Sequence, residues 1–103
     1  MVIEWSRRAR TDILDLKAYI AKDSPYYARR FTERIIASVE KLAEFPRIGR
    51  TVPEAEGRDD VRELVYQGYR IIYLTRPEWV FIVTIIHSSR DLADKELNPW
   101  DVV

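Results

Sequence analysis

The alternation of apolar and polar residues predicts a short strand and a helix at the start of the chain. Residues Val2 to Trp5 alternate as a strand does, and Ser6 is suited to cap the helix that follows. Apolar residues then recur at steps of three and four along one helical face, at Ala9, Ile13, Leu16 and Ile20. This first helix is predicted from Arg7 to about Lys22.

A second helix is predicted from Pro25 to Glu44. Ser24 is its expected cap, and proline suits the first helical position because the N–H that it lacks would be unpaired there anyway. The apolar face of this helix comprises Ala28, Phe31, Ile35, Val39 and Leu42. We expect the two helices to pack as an antiparallel hairpin.

Three strands are predicted after a loop from Thr51 to Asp60 that is rich in proline, glycine and acidic residues. They cover residues 61–66, 69–74 and 79–87. A tight turn at Gln67-Gly68 would pair Arg62 with Tyr73 on one face and place Arg70 on the other. The last strand is apolar on both faces and should be central. The pattern predicts an α+β fold, with an N-terminal strand and an antiparallel helix hairpin packed on a small, mainly antiparallel sheet.

The length and composition are those of one globular domain. The chain has 103 residues, of which 47% are hydrophobic, and we expect a single domain over residues 1–103 with residues 92–103 as a C-terminal tail. With no cysteine and one histidine, we expect no metal site and no cofactor. The start of the chain has no signal-peptide pattern and no apolar run is long enough to span a bilayer, so a cytoplasmic location is expected.

The charges are balanced overall but unevenly distributed. Residues 1–50 carry 11 Lys and Arg against 7 Asp and Glu, whereas residues 51–103 carry 6 against 10. The two halves therefore have net charges of +4 and −4. Nucleic-acid binders usually have a basic excess, because neutralising phosphates supplies much of their affinity. The balance argues against a dedicated DNA or RNA binder.

Two predicted strands each carry one arginine among apolar or aromatic residues. These are Arg62 and Arg70, and an arginine is seldom fully buried without a partner. Each could bind an anionic group through its planar fork of donors. Each could equally be paired with Glu63 or Glu78 and serve only the fold. The sequence leaves both interpretations open.

The last strand ends abruptly in the polar segment His87-Ser88-Ser89-Arg90-Asp91. His87 is the one side chain that titrates near neutral pH, but it can equally end the strand with its ring hydrogen-bonded to backbone. A Ser-His-Asp hydrolase built within this segment is set aside, because neighbouring residues of a strand alternate in direction.

Two further groups are candidates for contact with a partner. Arg29, Arg30 and Arg34 lie together on the second helix, either as a solvated face paired with Glu33 or as a surface for a protein target. Trp100 in the tail has no obvious local core, so it either folds back over the sheet or contacts a partner.

The order of strand, helix, helix and three strands is accompanied by four short motifs. They are Arg8-Ala9-Arg10-Thr11-Asp12-Ile13, Phe45-Pro46-Arg47-Ile48-Gly49-Arg50, Tyr69-Arg70-Ile71-Ile72-Tyr73 and His87-Ser88-Ser89-Arg90-Asp91. Over residues 2 to about 92, this combination resembles the RelE/ParE superfamily of toxins. The resemblance implies a toxin encoded with an antitoxin whose C-terminal segment wraps around it and neutralises it.

The superfamily divides by target. RelE-like toxins enter the ribosomal A site and cut messenger RNA, whereas ParE-like toxins bind DNA gyrase and block replication without cutting RNA. A third possibility is an inactive toxin that survives as an antitoxin-binding module. DNA contact is expected only through the antitoxin.

The resemblance also implies roles for individual residues. A ribonuclease using the 2′-hydroxyl as nucleophile needs proton-transfer groups and cations for the phosphorane, for which the candidates are Arg62, Arg70, His87 and Arg90. Candidate antitoxin contacts are Arg62, Arg70, Tyr73 and Arg90. Candidate target contacts are Arg29, Arg30, Arg34 and Trp100.

Two departures separate this chain from RelE itself. RelE carries a tyrosine in its C-terminal segment, and residues 92–103 contain none. RelE also has basic residues before the central hairpin, where this chain has Glu54, Glu56, Asp59, Asp60 and Glu63. These carboxylates would repel a phosphate backbone. The ParE-like branch, with gyrase as target and no enzymatic activity, is therefore the favoured interpretation.

Overall fold

The computed structural model describes residues 1–89 and residue 100. Its elements, in chain order, are β1 (Val2–Trp5), α1 (Arg7–Ala21), α2 (Pro25–Glu40), a short 3-10 turn (Lys41–Ala43), β2 (Arg50–Thr51), β3 (Val61–Tyr66), β4 (Tyr69–Thr75) and β5 (Trp79–His87). The predicted helices and strands are all present. Two details differ: α2 ends at Glu40 rather than Glu44, and the predicted loop begins with the two-residue strand β2.

The five strands form one mixed sheet in the order β1-β5-β4-β3-β2. β1 pairs with β5 in parallel, and the other three pairings are antiparallel. β5 lies between β1 and β4, as its apolar character on both faces predicts. No helix in the described part of the chain is long and apolar enough to cross a membrane.

The β3–β4 hairpin has the predicted register. Arg62 pairs with Tyr73, and Val65 pairs with Arg70. The turn residues Gln67 and Gly68 have φ angles of 42° and 87°, the left-handed conformation that a two-residue hairpin turn requires. Because this turn fixes the register, it also fixes which strand residues share a face.

Serine caps set the starts of both helices. The Ser6 hydroxyl accepts the Ala9 N–H at 2.9 Å, and the Ser24 hydroxyl accepts the Tyr27 N–H at 3.1 Å, with Pro25 following as predicted. The helices then pack on one face of the sheet. The core on this helix side comprises Ala9, Leu16, Phe31, Ile35, Val39, Leu42, Ile71, Tyr73, Val80, Ile82 and Ile85.

A second, smaller core lies on the other face of the sheet, which we call the open face. It comprises Val52, Ala55, Val61, Ile72, Leu74, Val83, Ile86 and Trp100. Trp100 is only 3% exposed, so it folds back over the sheet, which is one of the two alternatives for this residue. The segment from Val52 to Ala55 covers part of this face, and it therefore positions Glu54 above β4.

The start of α1 covers the part of β5 that β1 does not reach. β1 pairs only with residues 79–82, so the rest of β5 would otherwise present a free edge on that side. Ser6 donates to two β5 carbonyls, at 2.9 and 2.7 Å. The Asp12 carboxylate accepts the N–H of Ile85 at 3.0 Å and the hydroxyl of Thr84. The helix thereby satisfies the exposed edge of the strand.

Candidate functional site

Arg70 lies on the open face of β4 and is almost fully enclosed by carboxylates. It is 6% exposed, and its Nε donates to Glu63 at 2.5 Å. Its two terminal nitrogens donate to the two oxygens of Glu54, each at 2.8 Å. Glu63 is itself buried and accepts a further bond from Arg50 at 2.7 Å. We call these four residues the Arg70 network.

The Arg70 network has no net charge, because two guanidinium groups face two carboxylates. The hydrogen-bonded Arg70 guanidinium holds the pKa of Glu54 below its ordinary value, and the Glu54 carboxylate raises the pKa of Arg70. Both shifts favour the charged forms. Of the two partners proposed from the sequence, Glu63 is confirmed for Arg70, whereas Glu54 was not foreseen.

Arg62 projects from the opposite, helix-side face and holds the Pro46–Arg50 segment. Its guanidinium donates to the carbonyls of Gly49 and Asp59 at 2.8 and 3.1 Å and to the Asp59 carboxylate at 2.8 Å. Arg62 therefore pairs with Asp59 instead of Glu63 or Glu78. All of these contacts hold the Pro46–Arg50 segment and Asp59 against β3. The geometry therefore supports a structural role for Arg62.

Tyr73 is a core residue, which corrects its prediction as an antitoxin contact. Its side chain is fully buried, and burial raises its pKa. The hydroxyl donates to Pro46 O at 2.9 Å and accepts the Gly49 N–H at 3.0 Å. A Cβ at Gly49 would lie only 2.5 Å from Glu63 O and 2.6 Å from the Tyr73 hydroxyl. The Phe45–Arg50 motif is thus explained by packing around this tyrosine.

His87 ends β5 on the exposed, helix-side face. Its ring packs edge-on against Tyr69 with centroids 5.2 Å apart. Nδ1 accepts the Ser89 N–H at 3.2 Å, a bond that requires this nitrogen to be unprotonated. The Ser89 hydroxyl is 2.7 Å from the same nitrogen, so a serine two positions away does reach the ring, contrary to the sequence argument. The backbone bond matches the strand-end interpretation of His87.

The candidate catalytic residues do not converge. Arg70 faces the open side, whereas Arg62 and His87 face the helix side, so the sheet separates Arg70 from both. Arg62 pairs with Tyr73 and His87 pairs with Tyr69, four positions apart along β4, or roughly 13 Å. The fourth candidate, Arg90, lies outside the described residues.

The arginines of α2 are exposed, and within residues 1–89 and 100 none of the three forms an ion pair with a carboxylate. This corrects the expected pairing with Glu33. The guanidinium groups of Arg29 and Arg30 instead lie 5.9 Å from the ring centroid of Tyr26. In Arg-to-Glu pairs on a helix, the order with arginine first is the weaker one, which is consistent with their absence here.

A groove beside these arginines was not foreseen from the sequence. It has a volume of about 180 Å³ and is lined by Tyr26, Tyr27, Arg30, Phe31, Arg34 and Tyr66. We call it the α2 groove. The sequence signal for it is the pair Tyr26-Tyr27, two large aromatic residues that fall outside the apolar face of α2.

Trp100, by contrast, is buried in the open-face core and offers no surface to a target. This corrects the prediction that Trp100 contacts the target.

The amino-acid sequence matches one family of known proteins. The family model described as the ParE toxin of the type II toxin-antitoxin system, parDE, matches residues 3–92. Toxin RelE2 of Caulobacter vibrioides is 34% identical over 89 residues, covering 85% of this chain and 96% of its own length. Putative toxin Y4kP of Sinorhizobium fredii is 38% identical over 91 residues, covering 85% and 88%.

Solved structures of toxins share the fold. The chromosomal ParDE toxin-antitoxin system from P. aeruginosa superposes with a TM-score of 0.70 at 20% identity, covering 84% of this chain and 95% of that one. A mutant of E. coli toxin RelE in the free state gives a TM-score of 0.61 at 18% identity, with coverage of 84% and 82%. The two structures show the same α+β fold, and the family match over residues 3–92 shows that the chain belongs to the ParE toxin family of type II toxin-antitoxin systems.

Proposed function

We propose that this toxin inhibits growth by binding a protein target, with DNA gyrase as the first candidate, and that it does not cut RNA. The observation that carries the proposal is the state of Arg70, whose guanidinium is held by Glu54 and Glu63. A toxin that acts by binding does not need this arginine to be free. We further propose that it acts in the cytoplasm, where this target is found.

RNA cleavage would make demands that these residues do not meet. Attack by a 2′-hydroxyl needs one group to take its proton, another to protonate the leaving oxygen, and cations to stabilise the phosphorane. A phosphate approaching Arg70 would have to displace both oxygens of Glu54 and would then meet the buried charge of Glu63. His87, the candidate for proton transfer, lies across the sheet from Arg70.

The family implies a cognate antitoxin, so neutralisation provides a control. We propose that the antitoxin blocks access to the gyrase-binding surface. Arg29, Arg30 and Arg34 on α2 are the candidate target contacts, because they are exposed and make no ion pair with a described carboxylate. The neighbouring gene is the first candidate for the antitoxin.

One paired assay tests the proposal. Purified toxin is added to gyrase acting on relaxed plasmid, and separately to ribosomes programmed with messenger RNA. The expected result is loss of supercoiling with intact messenger RNA, and restoration of supercoiling when antitoxin is added. Specific A-site cuts that disappear in Arg90→Ala would overturn the proposal in favour of a ribosome-dependent endoribonuclease. Inactivity in both assays, without growth arrest on expression, would identify an inactive antitoxin-binding module.

A further inference from the structure

The arginines of this protein divide into two groups by their partners. Each arginine of the described sheet and of the loops beside it is paired with a carboxylate: Arg47, Arg50, Arg58, Arg62, Arg70 and Arg76. The exposed arginines of the two helices have no such partner among the described residues: Arg7, Arg8 and Arg10 on α1, and Arg29, Arg30 and Arg34 on α2. Two of these six, Arg30 and Arg34, line the α2 groove. The fold therefore neutralises one group internally and leaves the other available to an anionic ligand.

From this division we infer that the α2 groove receives an acidic protein segment carrying one apolar or aromatic side chain. The inference rests on the proposed function in one respect, namely that the toxin acts by binding a protein. It adds the α2 groove as the site that an apolar side chain of the partner enters, and the acidic chemistry of the partner segment.

The floor of the α2 groove is apolar and already ordered. Phe31 is 5% exposed, and its ring centroid lies 5.3 Å from that of Tyr66 and 5.9 Å from that of Tyr27. Tyr27 is itself 49% exposed, so its ring forms an open wall. Its hydroxyl lies 3.4 Å from the Gln67 side chain of the hairpin turn, which bridges the two sides of the groove. An apolar side chain would bury against these rings without rearranging them.

The rim of the α2 groove is cationic. Arg30 and Arg34 are separated by one helical turn, so their Cβ atoms are about 6 Å apart on the same side of the helix. Carboxylates two positions apart on an extended strand have a similar spacing of about 7 Å. The nearest acidic residue in the sequence, Glu33, forms no ion pair with either arginine within the described structure. Charge and shape thus favour an acidic segment with an apolar anchor.

A single-stranded nucleic acid fits the α2 groove less well. Such ligands stack their bases on aromatic rings with a free face. The guanidinium groups of Arg29 and Arg30 lie 5.9 Å from the ring centroid of Tyr26, and the Tyr26 hydroxyl accepts a bond from Arg30 at 3.3 Å. The rings of Tyr27 and Tyr66 each contact Phe31 on one side, with tilts of 51° and 59° to its ring, so they do not form parallel platforms with it. The chain also has no net positive charge to gather phosphates.

Titrations of the full-length, 15N-labelled chain test this inference by NMR. The probe is a nine-residue peptide with a central phenylalanine and four glutamates on each side. A second peptide replaces the glutamates by glutamines, and a third ligand is a nine-nucleotide oligouridylate. We expect the acidic peptide to shift amide resonances of residues 26–34 and of Tyr66, and the glutamine peptide to cause no comparable shift.

Charge-reversal variants provide the matched control. The double variant Arg30→Glu/Arg34→Glu should weaken binding of the acidic peptide by at least about tenfold. The double variant Arg30→Gln/Arg34→Gln should weaken it by less. Arg7→Glu/Arg8→Glu changes the net charge equally on exposed α1 positions and should stay within about twofold of the wild type. Thermal melts establish that each variant is folded.

Three results would overturn the inference. The first is no shift at these residues with the acidic peptide. The second is oligouridylate binding there at least as tightly as the peptide, which would assign the groove to nucleic acid. The third is an equal loss in the α1 control, which would make the effect one of net charge alone.

The same variants separate this inference from the choice of gyrase. If the peptide binds the α2 groove but gyrase is not inhibited, gyrase is the wrong target and the groove assignment survives. If gyrase is inhibited equally by the wild type and by Arg30→Glu/Arg34→Glu, the target is right and the α2 groove is not its binding site.

Discussion

Replacing Arg70 by methionine should remove a large share of the stability of the fold. Methionine keeps a similar length but removes the charge that compensates Glu63, whose side chain is 0% exposed. Glu54 can turn towards solvent, since its side chain is already 22% exposed. Glu63 cannot, and it retains only its bond from Arg50, a residue whose side chain is 61% exposed. The loss of folding stability therefore arises at one buried carboxylate, that of Glu63.

The magnitude follows from the burial of that carboxylate. Removing one member of a buried ion pair costs about 3–5 kcal/mol, because the remaining charge stays buried without compensation. The surviving bond from Arg50 at 2.7 Å places the expected cost at the lower end, about 3 kcal/mol. For a domain of this size, the midpoint of thermal unfolding should fall by between about 12 and 24 °C.

Urea denaturation followed by far-ultraviolet circular dichroism measures this loss. Arg76→Met is the matched control, because Arg76 pairs with Asp60 at a more exposed site where both side chains remain about one-third exposed. Its cost should be below about 1 kcal/mol. The double variant Glu63→Leu/Arg70→Met should recover most of the stability, since an apolar pair can replace a buried ion pair.

The opposite result would refute this account of Arg70. If Arg70→Met unfolds at the same urea concentration as the wild type but abolishes toxicity, the arginine serves the activity and not the fold. A double variant less stable than Arg70→Met alone would likewise contradict the idea that an uncompensated Glu63 causes the loss.

Three further predictions concern pH, packing and the sheet edge. Arg70 holds the pKa of Glu54 below its ordinary value of 4.5, so this carboxylate contributes stability that is present above about pH 4.5 and is lost as the pH falls through the lowered pKa. Urea midpoints between pH 7 and pH 3 should fall less steeply in Arg70→Met, and equal slopes would contradict this. Gly49→Ala should lower the free energy of unfolding by about 2–4 kcal/mol, because the added Cβ would press on the buried Tyr73 hydroxyl and a β3 carbonyl. Urea denaturation measures this loss. An unchanged midpoint would show that the loop can move aside. Asp12→Ala should cost about 2 kcal/mol by leaving a β5 N–H and hydroxyl unpaired, and should accelerate hydrogen exchange there, with unchanged exchange as the contrary outcome.

Local signals predicted most of the fold. The serine caps Ser6 and Ser24 define the starts of the two helices, and the turn at Gln67-Gly68 defines the register of the hairpin. Each of these features depends on only a few neighbouring residues. β2 could not be predicted in this way. It has two residues, Arg50 and Thr51, and exists only because β3 supplies its hydrogen bonds.

The site was harder to predict because its interactions are distant in sequence. The register of the hairpin predicted which face of the sheet carries Arg70. It could not predict Glu54, because Glu54 reaches Arg70 from a loop whose residues follow no regular hydrophobic pattern. Burial of Trp100 likewise depends on residues far from it along the chain. The sequence identified the residues that carry charge, whereas the structure was needed to identify which charges cancel.

The pairing of the first strand with the last has a consequence for how this toxin is made. β1 has its partner in β5, and Ser6 bonds to Val83, 77 residues later. A nascent chain cannot complete its sheet until β5 has left the ribosome, and contacts of such long range form late in folding. Synthesis interrupted before residue 79 would leave β1 and β4 without the strand that joins them. The complete sheet therefore forms only after β5 has been synthesised, and an antitoxin already in the cell can meet the toxin while it folds.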